Sequence, residues 1–123
     1  MTNLSGKKAE TAAKHYLCQQ KLAFIEENYS CRQGEIDLIM KEDRQLVFVE
    51  VKYRKNNTFG DGFEHVTWHK QQRIIKTARH YLHTHKIGET VSCRFDVVSI
   101  TPSPTKHSAP LSIQWIRNAF TLC

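Results

Sequence analysis

Two short apolar segments, Glu35–Met40 and Leu46–Tyr53, flank a polar turn, and their spacing leaves few ways to fold. Alternation marks the first, and β-branched and aromatic residues dominate the second, so both are predicted as strands. A two-residue turn at Asp43-Arg44 pairs them antiparallel. Asp37 then faces Glu50, Glu35 faces Lys52 and Ile39 faces Phe48. The alternate set is Ile36 with Val51, Leu38 with Val49 and Met40 with Val47. In this register one face is aliphatic apart from the Met40 thioether. The other gathers Glu35, Asp37, Glu50 and Lys52 at one end, and a slip of one residue would part Asp37 from Glu50.

The rest of the chain builds around that hairpin. Gly6 to Gln20 reads as a helix, with Ala9, Ala12, Ala13, Tyr16 and Leu17 at helical spacing. Leu22 to Tyr29 reads as the first strand. Arg54 to Glu64 is a polar loop, and Val66 to His85 is a second helix with a buried stripe of Ile74, Ile75, Ala78, Tyr81 and Leu82, ended by Gly88. Cys93 to Ile100 is a strand, Thr101 to Pro110 a proline-bearing loop, and Leu111 to Trp115 an edge strand. The expected fold is α/β, one mixed central sheet flanked by helices in the order α-β-β-β-α-β-β. At 123 residues the chain is expected to be a single domain over 1–123.

Composition removes several classes. No apolar run approaches the roughly 20 residues a spanning helix needs, so no membrane partner is expected. The polar start, Met1 to Glu10, lacks the apolar region of a signal peptide. Cys18, Cys31, Cys93 and Cys123 are widely spaced with no C-x-x-C pair, which reads as reduced thiols in a cytoplasmic protein. Lys plus Arg number 18 against 12 Asp plus Glu, a formal charge of +6, which favours an anionic partner, nucleic acid ahead of membrane.

The acid-rich end of the hairpin carries the chemistry. Directly opposed Cβ atoms lie about 4.5–5.5 Å apart, so Asp37 and Glu50 are within reach of one ion. Three carboxylates with only Lys52 to offset them are costly in a half-buried patch unless a cation binds or a proton is taken up. Hard oxygen ligands favour Mg²⁺ or Mn²⁺ over zinc. The Val51 carbonyl is a candidate further ligand. The competing reading is a solvated strand face laced with salt bridges. The hydrophobic residues around Glu50 argue for burial instead, and buried charges need a partner.

Asp37 followed by Glu50-Val51-Lys52 on the adjacent strand resembles the D…E-x-K core of restriction-endonuclease-like, PD-(D/E)XK, nucleases. A wider set is more specific: Gly6, Ala9-Glu10, Gly34 to Ile39, Val47 to Arg54, Phe59-Gly60, Lys70 and Arg94 to Val98. Together these resemble the YraN family of small bacterial proteins, itself similar to archaeal Holliday-junction resolvases. The resemblance implies that Asp37 and Glu50 are metal ligands, that Lys52 is the catalytic lysine and that Glu10 completes the metal site. Glu35 matches the family's GEID signature and is a candidate accessory residue. It implies a Mg²⁺- or Mn²⁺-dependent endonuclease hydrolysing DNA phosphodiester bonds, with branched or single-stranded recombination and repair intermediates as candidate substrates. The alternative is a catalytically inactive nucleic-acid-binding module, or a subunit of a DNA-processing complex with protein partners. Arg32, Arg54, Lys55, Lys70 and Arg73 are candidate phosphate contacts. A homodimer would suit paired cuts on two strands.

Overall fold

The computed structural model describes residues 6–54, 66–88, 90–102 and 111–121. The expectations placed on Lys55 and on Phe59-Gly60 lie outside these residues. The elements are α1 (Gly6–Gln19), β1 (Ala23–Cys31), β2 (Gly34–Glu42), β3 (Gln45–Tyr53), α2 (Trp68–Thr84), β4 (Cys93–Pro102) and β5 (Leu111–Phe120). The order is the expected one. The last strand runs five residues further than its alternating stretch, Leu111 to Trp115, suggested.

The sheet order is β1-β2-β3-β4-β5. All neighbours are antiparallel except β3 and β4, which run parallel across the α2 crossover. Alternation along the strands splits the core in two. Ala9, Ala13 and Leu17 of α1 pack with Leu38, Met40, Val47, Val49, Val98 and Ile100. Ile74, Ile75, Ala78, Tyr81 and Leu82 of α2 pack with Ile39, Phe48, Phe95 and Val97 on the opposite face. The predicted α2 stripe is therefore the buried one, with Thr77 added to it.

Both helices end on a lysine in the left-handed region. Lys21 has φ 75° and Lys86 φ 56°, and in each case the next amide closes back onto the helix, Leu22 N to Leu17 O at 3.1 Å and Ile87 N to Leu82 O at 2.8 Å. The second helix thus stops before Gly88, because the chain turns at Lys86.

The hairpin register is the predicted one over Leu38↔Val49, Ile39↔Phe48 and Met40↔Val47, and it runs on to Glu42↔Gln45. The turn takes Asp43 to φ 54°, which Asp tolerates better than most residues. Beyond Leu38↔Val49 the ladder stops. The expected pairs Asp37–Glu50, Ile36–Val51 and Glu35–Lys52 do not form. The aliphatic face is also broken: Ile36 packs with the α2 cluster, while Leu38 and Met40 pack with the α1 cluster. The cause is at Asp37, whose Oδ2 accepts from the Val51 amide at 2.8 Å. A side chain has replaced the backbone partner, and the two strands part there.

A second polar cluster lies under β4 and β5. Asp96, fully buried, accepts from Arg94 Nε at 3.0 Å, Trp115 Nε1 at 2.9 Å and the Asn118 amide at 2.8 Å. Arg94 Nη1 reaches Glu42 at 2.7 Å and Gln45 at 2.8 Å, and Arg117 clamps Glu42 with two bonds. Those two guanidiniums, Arg117 foremost, hold the Glu42 carboxyl down at about 2. Every charge here is paired, so this cluster is structural.

Candidate active site

Three acids converge where β2 and β3 part. Asp37 comes from β2 and Glu50 from β3. Glu10 is delivered by α1, whose small residues Ala9 and Ala13 are 1% and 0% exposed and let the helix lie close to the sheet. Glu10 is half-buried and hydrogen-bonds with Asp37 and with the Asn28 side chain of β1. Asp37 in turn hydrogen-bonds with Glu50. Burial, then the negative charge of Glu50, pushes the Asp37 carboxyl up to about 8, against the pull of the Val51 amide. Burial also raises Glu10. A protonated Asp37 is the donor that its two neighbours lack, and it relieves the repulsion of three carboxylates in one place.

Glu50 is only 6% exposed. Its Oε2 meets Lys70 Nζ of α2 at 2.5 Å. Lys70, expected as a phosphate contact, thus belongs to the acid cluster. Sequence alone does not show this pairing, because it depends on how α2 is rotated against the sheet. The available signal is that Lys70 stands one turn before the buried Ile74, at the edge of the stripe.

Lys52 is half-buried, two residues along β3 from Glu50 and on the same side by strand alternation. Val51 donates its amide to Asp37 Oδ2 at the site. Glu35 is exposed and lines a cleft of about 380 Å³ with Thr67, His69, Lys70, Arg73 and Ile74. Arg73 Nε donates to the Gln33 carbonyl at 3.2 Å, fixing the turn that leads into β2. Arg32 is exposed on that turn, and Arg54 is half-buried just past β3, its amide bonded to Ile100 O at 2.9 Å.

Gly34 lets this turn press against α2. A Cβ there would come within 3.2 Å of Thr77 Oγ1 and 3.5 Å of Arg73 Cβ. Thr77 is itself fully buried and donates to Arg73 O at 2.8 Å.

The donor set suits a hard divalent ion in kind, since every ligand atom offered is oxygen. Among the described residues no three His, Cys, Asp or Glu side chains are spaced to close on one ion. The acids are instead drawn together as Glu10 with Asp37 and Asp37 with Glu50, with Lys70 on Glu50. Among the described residues, no helix is long and apolar enough to cross a membrane. Cys18, Cys31 and Cys93 are free thiols.

Fold and site together define a class: an α/β domain with one mixed five-stranded sheet between two helices and an acid cluster where two central strands diverge. A family model described as "Uncharacterised protein family UPF0102" matches residues 9–100, a span that holds Glu10, Asp37, Glu50, Lys52 and Lys70. A UPF0102 protein of Legionella pneumophila strain Philadelphia 1 is 46% identical over 120 residues, 98% of this chain and 97% of its own. One from Nitrosomonas europaea is 50% identical over 115 residues, 94% and 92% of the two chains. One from Coxiella burnetii is 46% identical over 119 residues, 97% and 93%. The chain belongs to the UPF0102 family, which is the YraN family of the sequence resemblance.

Proposed function

We propose that this protein is a divalent-metal-dependent nuclease of the restriction-endonuclease-like type, acting on DNA. The observation that carries the reading is the meeting of Asp37 with both Glu50 and Glu10 at the point where the hairpin ladder opens. Repelling acids buried together are unfavourable for a scaffold and useful for holding a cation. Glu10, Asp37 and Glu50 are the residues that would hold Mg²⁺ or Mn²⁺, each leaving its present pairwise contact to close on it, and the ion would supply Lewis acidity toward a phosphate oxygen and a water.

The chain's own groups do the rest. Asp37 must release its proton for the ion to bind. Its bond to the Val51 amide fixes the carboxylate's orientation. Lys52 offsets charge that develops on the phosphate. Arg32, Arg54, Lys55 and Arg73 are the proposed phosphate contacts, so binding should weaken steeply with salt.

The test incubates the protein with linear, single-stranded, flapped and four-way DNA in Mg²⁺ and in Mn²⁺. Cleavage of at least one substrate is expected, and Asp37→Ala, Glu50→Ala and Lys52→Ala should each lose it. Cleavage that survives all three substitutions refutes the assignment. A silent nucleic-acid-binding module is the second reading, favoured by Lys70 already neutralising Glu50. Binding without cleavage across the panel would establish it.

A further inference from the structure

Helix α2 carries charge of one sign. Its residues, Trp68–Thr84, include Lys70, Arg73, Lys76 and Arg79, with His69, His80 and His83 among them, and no Asp or Glu. Arg73, Lys76, Arg79 and His83 are exposed, on the face turned away from the buried stripe. At the head of this face stands Trp68, 65% exposed, where the next large apolar side chains among the described residues are Phe24 at 39% and Ile25 at 38%. Two turns further on in its row is Ile75, which is buried, and three turns on is Arg79, which is exposed. Trp68 therefore sits on the border between core and cations, beyond the cover of the sheet. Thr67 caps this turn through the Lys70 amide at 3.2 Å, and the rings of His69 and Trp68 meet edge-on at 5.3 Å. His69 also lines the cleft with Glu35, Lys70 and Arg73, and Lys70 reaches Glu50, so the indole adjoins the candidate active site. The other tryptophan is engaged: Trp115 is half-buried, donates to Asp96 at 2.9 Å and lies under Arg117.

We propose that the outer face of α2 is a track for single-stranded DNA, with an unpaired base stacked on Trp68 and the backbone that carries it following Arg73 and Lys76. An exposed aromatic ring beside a row of cations suits a flexible strand, since every base has a face to stack and every nucleotide a phosphate to neutralise. Lys76 lies about 12 Å from Trp68 along the helix axis, so the two contacts fall on different nucleotides. Inside a continuous duplex both faces of a base are covered by its neighbours, which leaves the indole nothing to stack on. Charge complementarity favours this occupant over a protein, because a single ring among cations offers no apolar patch for a protein interface to bury. The inference rests on the DNA reading above and narrows its substrates to strands with unpaired bases. It involves no metal ion.

The test compares the unmodified chain with Trp68→Ala, Trp68→Phe and Lys76→Gln, all in EDTA so that no cleavage intervenes. Thermal melts confirm that each variant folds. Binding of a short oligothymidylate and of a relaxed circular duplex, which offers no unpaired or terminal base, is followed by filter binding against salt. Trp68→Ala should bind the oligothymidylate about five- to a hundredfold more weakly, with its salt slope unchanged and its affinity for the circle intact. Trp68→Phe keeps a ring and should keep most of the affinity. Lys76→Gln should lower the salt slope by about 0.7, the effect of one phosphate contact on a single strand. Oligothymidylate should also quench the tryptophan emission of the unmodified chain, and Trp68→Phe, left with the engaged Trp115, should lose that quenching. Full affinity for the oligothymidylate in Trp68→Ala, or an equal loss on the circle, overturns the inference. Emission that answers anionic vesicles but not the oligothymidylate overturns it in favour of a lipid surface. If the unmodified chain binds neither DNA, the DNA reading falls with it. If both are bound and Trp68→Ala changes nothing, only this inference falls.

Discussion

Replacing Asp37 with asparagine should make the metal-free protein more stable at alkaline pH. The fold raises this carboxyl from 3.8 to about 8, chiefly through burial and the charge of Glu50. Between those values the folded chain keeps a proton that the unfolded chain has released. The folded state therefore binds more protons, and stability falls as pH rises toward about 8. Each tenfold gain in proton affinity is worth about 1.4 kcal/mol, which sets a ceiling of about 6 kcal/mol for the whole displacement. Local relaxation and water entry reduce this, so a loss of about 2–3 kcal/mol between pH 5 and pH 9 is the working expectation. Asparagine keeps the shape, can still accept from the Val51 amide, and donates toward Glu50 without carrying charge. Urea denaturation in EDTA at pH 5, 7 and 9 reads the difference. The unmodified chain should lose stability across the series and cross below Asp37→Asn by pH 9. Equal pH slopes in the two proteins would show that Asp37 titrates normally and that the three acids do not press on one another.

Metal binding should carry the same proton: at pH 7 calorimetry in buffers of different ionisation enthalpy should find about one proton released per Mn²⁺ bound, and binding without proton release would show that Asp37 holds none. Arg94→Met should cost about 3–5 kcal/mol in denaturant unfolding, because it strips the fully buried Asp96 of its counter-charge. Arg117→Ala, half-exposed, should cost under about 1 kcal/mol, and equal losses would refute the burial argument. Gly34→Ala should destabilise by about 1–2 kcal/mol by forcing Thr77 aside, and pairing it with Thr77→Ala, which removes the Oγ1 that the new Cβ meets, should not add a full second penalty, because the two act on one contact.

The hairpin was legible where backbone pairs with backbone. The two-residue turn fixed the register, and the outcome from Glu42 to Leu38 follows from it. It failed one residue later, at Asp37, because a carboxylate took over the Val51 amide and strand alternation cannot anticipate that exchange. The acids still meet, since divergence of the strands opens a space that their side chains fill. Glu10 was legible only through the family pattern, as helix α1 lies far from the hairpin in sequence. The Arg94–Asp96 cluster was visible as a motif with no role: its partners, Glu42, Gln45, Trp115 and Arg117, are spread over three other strands. Lys70 on Glu50 was hidden for the same kind of reason, since the phase of α2 against the sheet is a tertiary property.

Helix α1 acts as a spacer for the third acid. Its approach to the sheet is set by the methyl groups of Ala9 and Ala13, both wholly enclosed. Enlarging either would lift the helix and widen the gap between Glu10 and Asp37, with neither acid altered. The reach of this centre toward an ion is thus tuned from beneath, by the thinnest side chains in the layer.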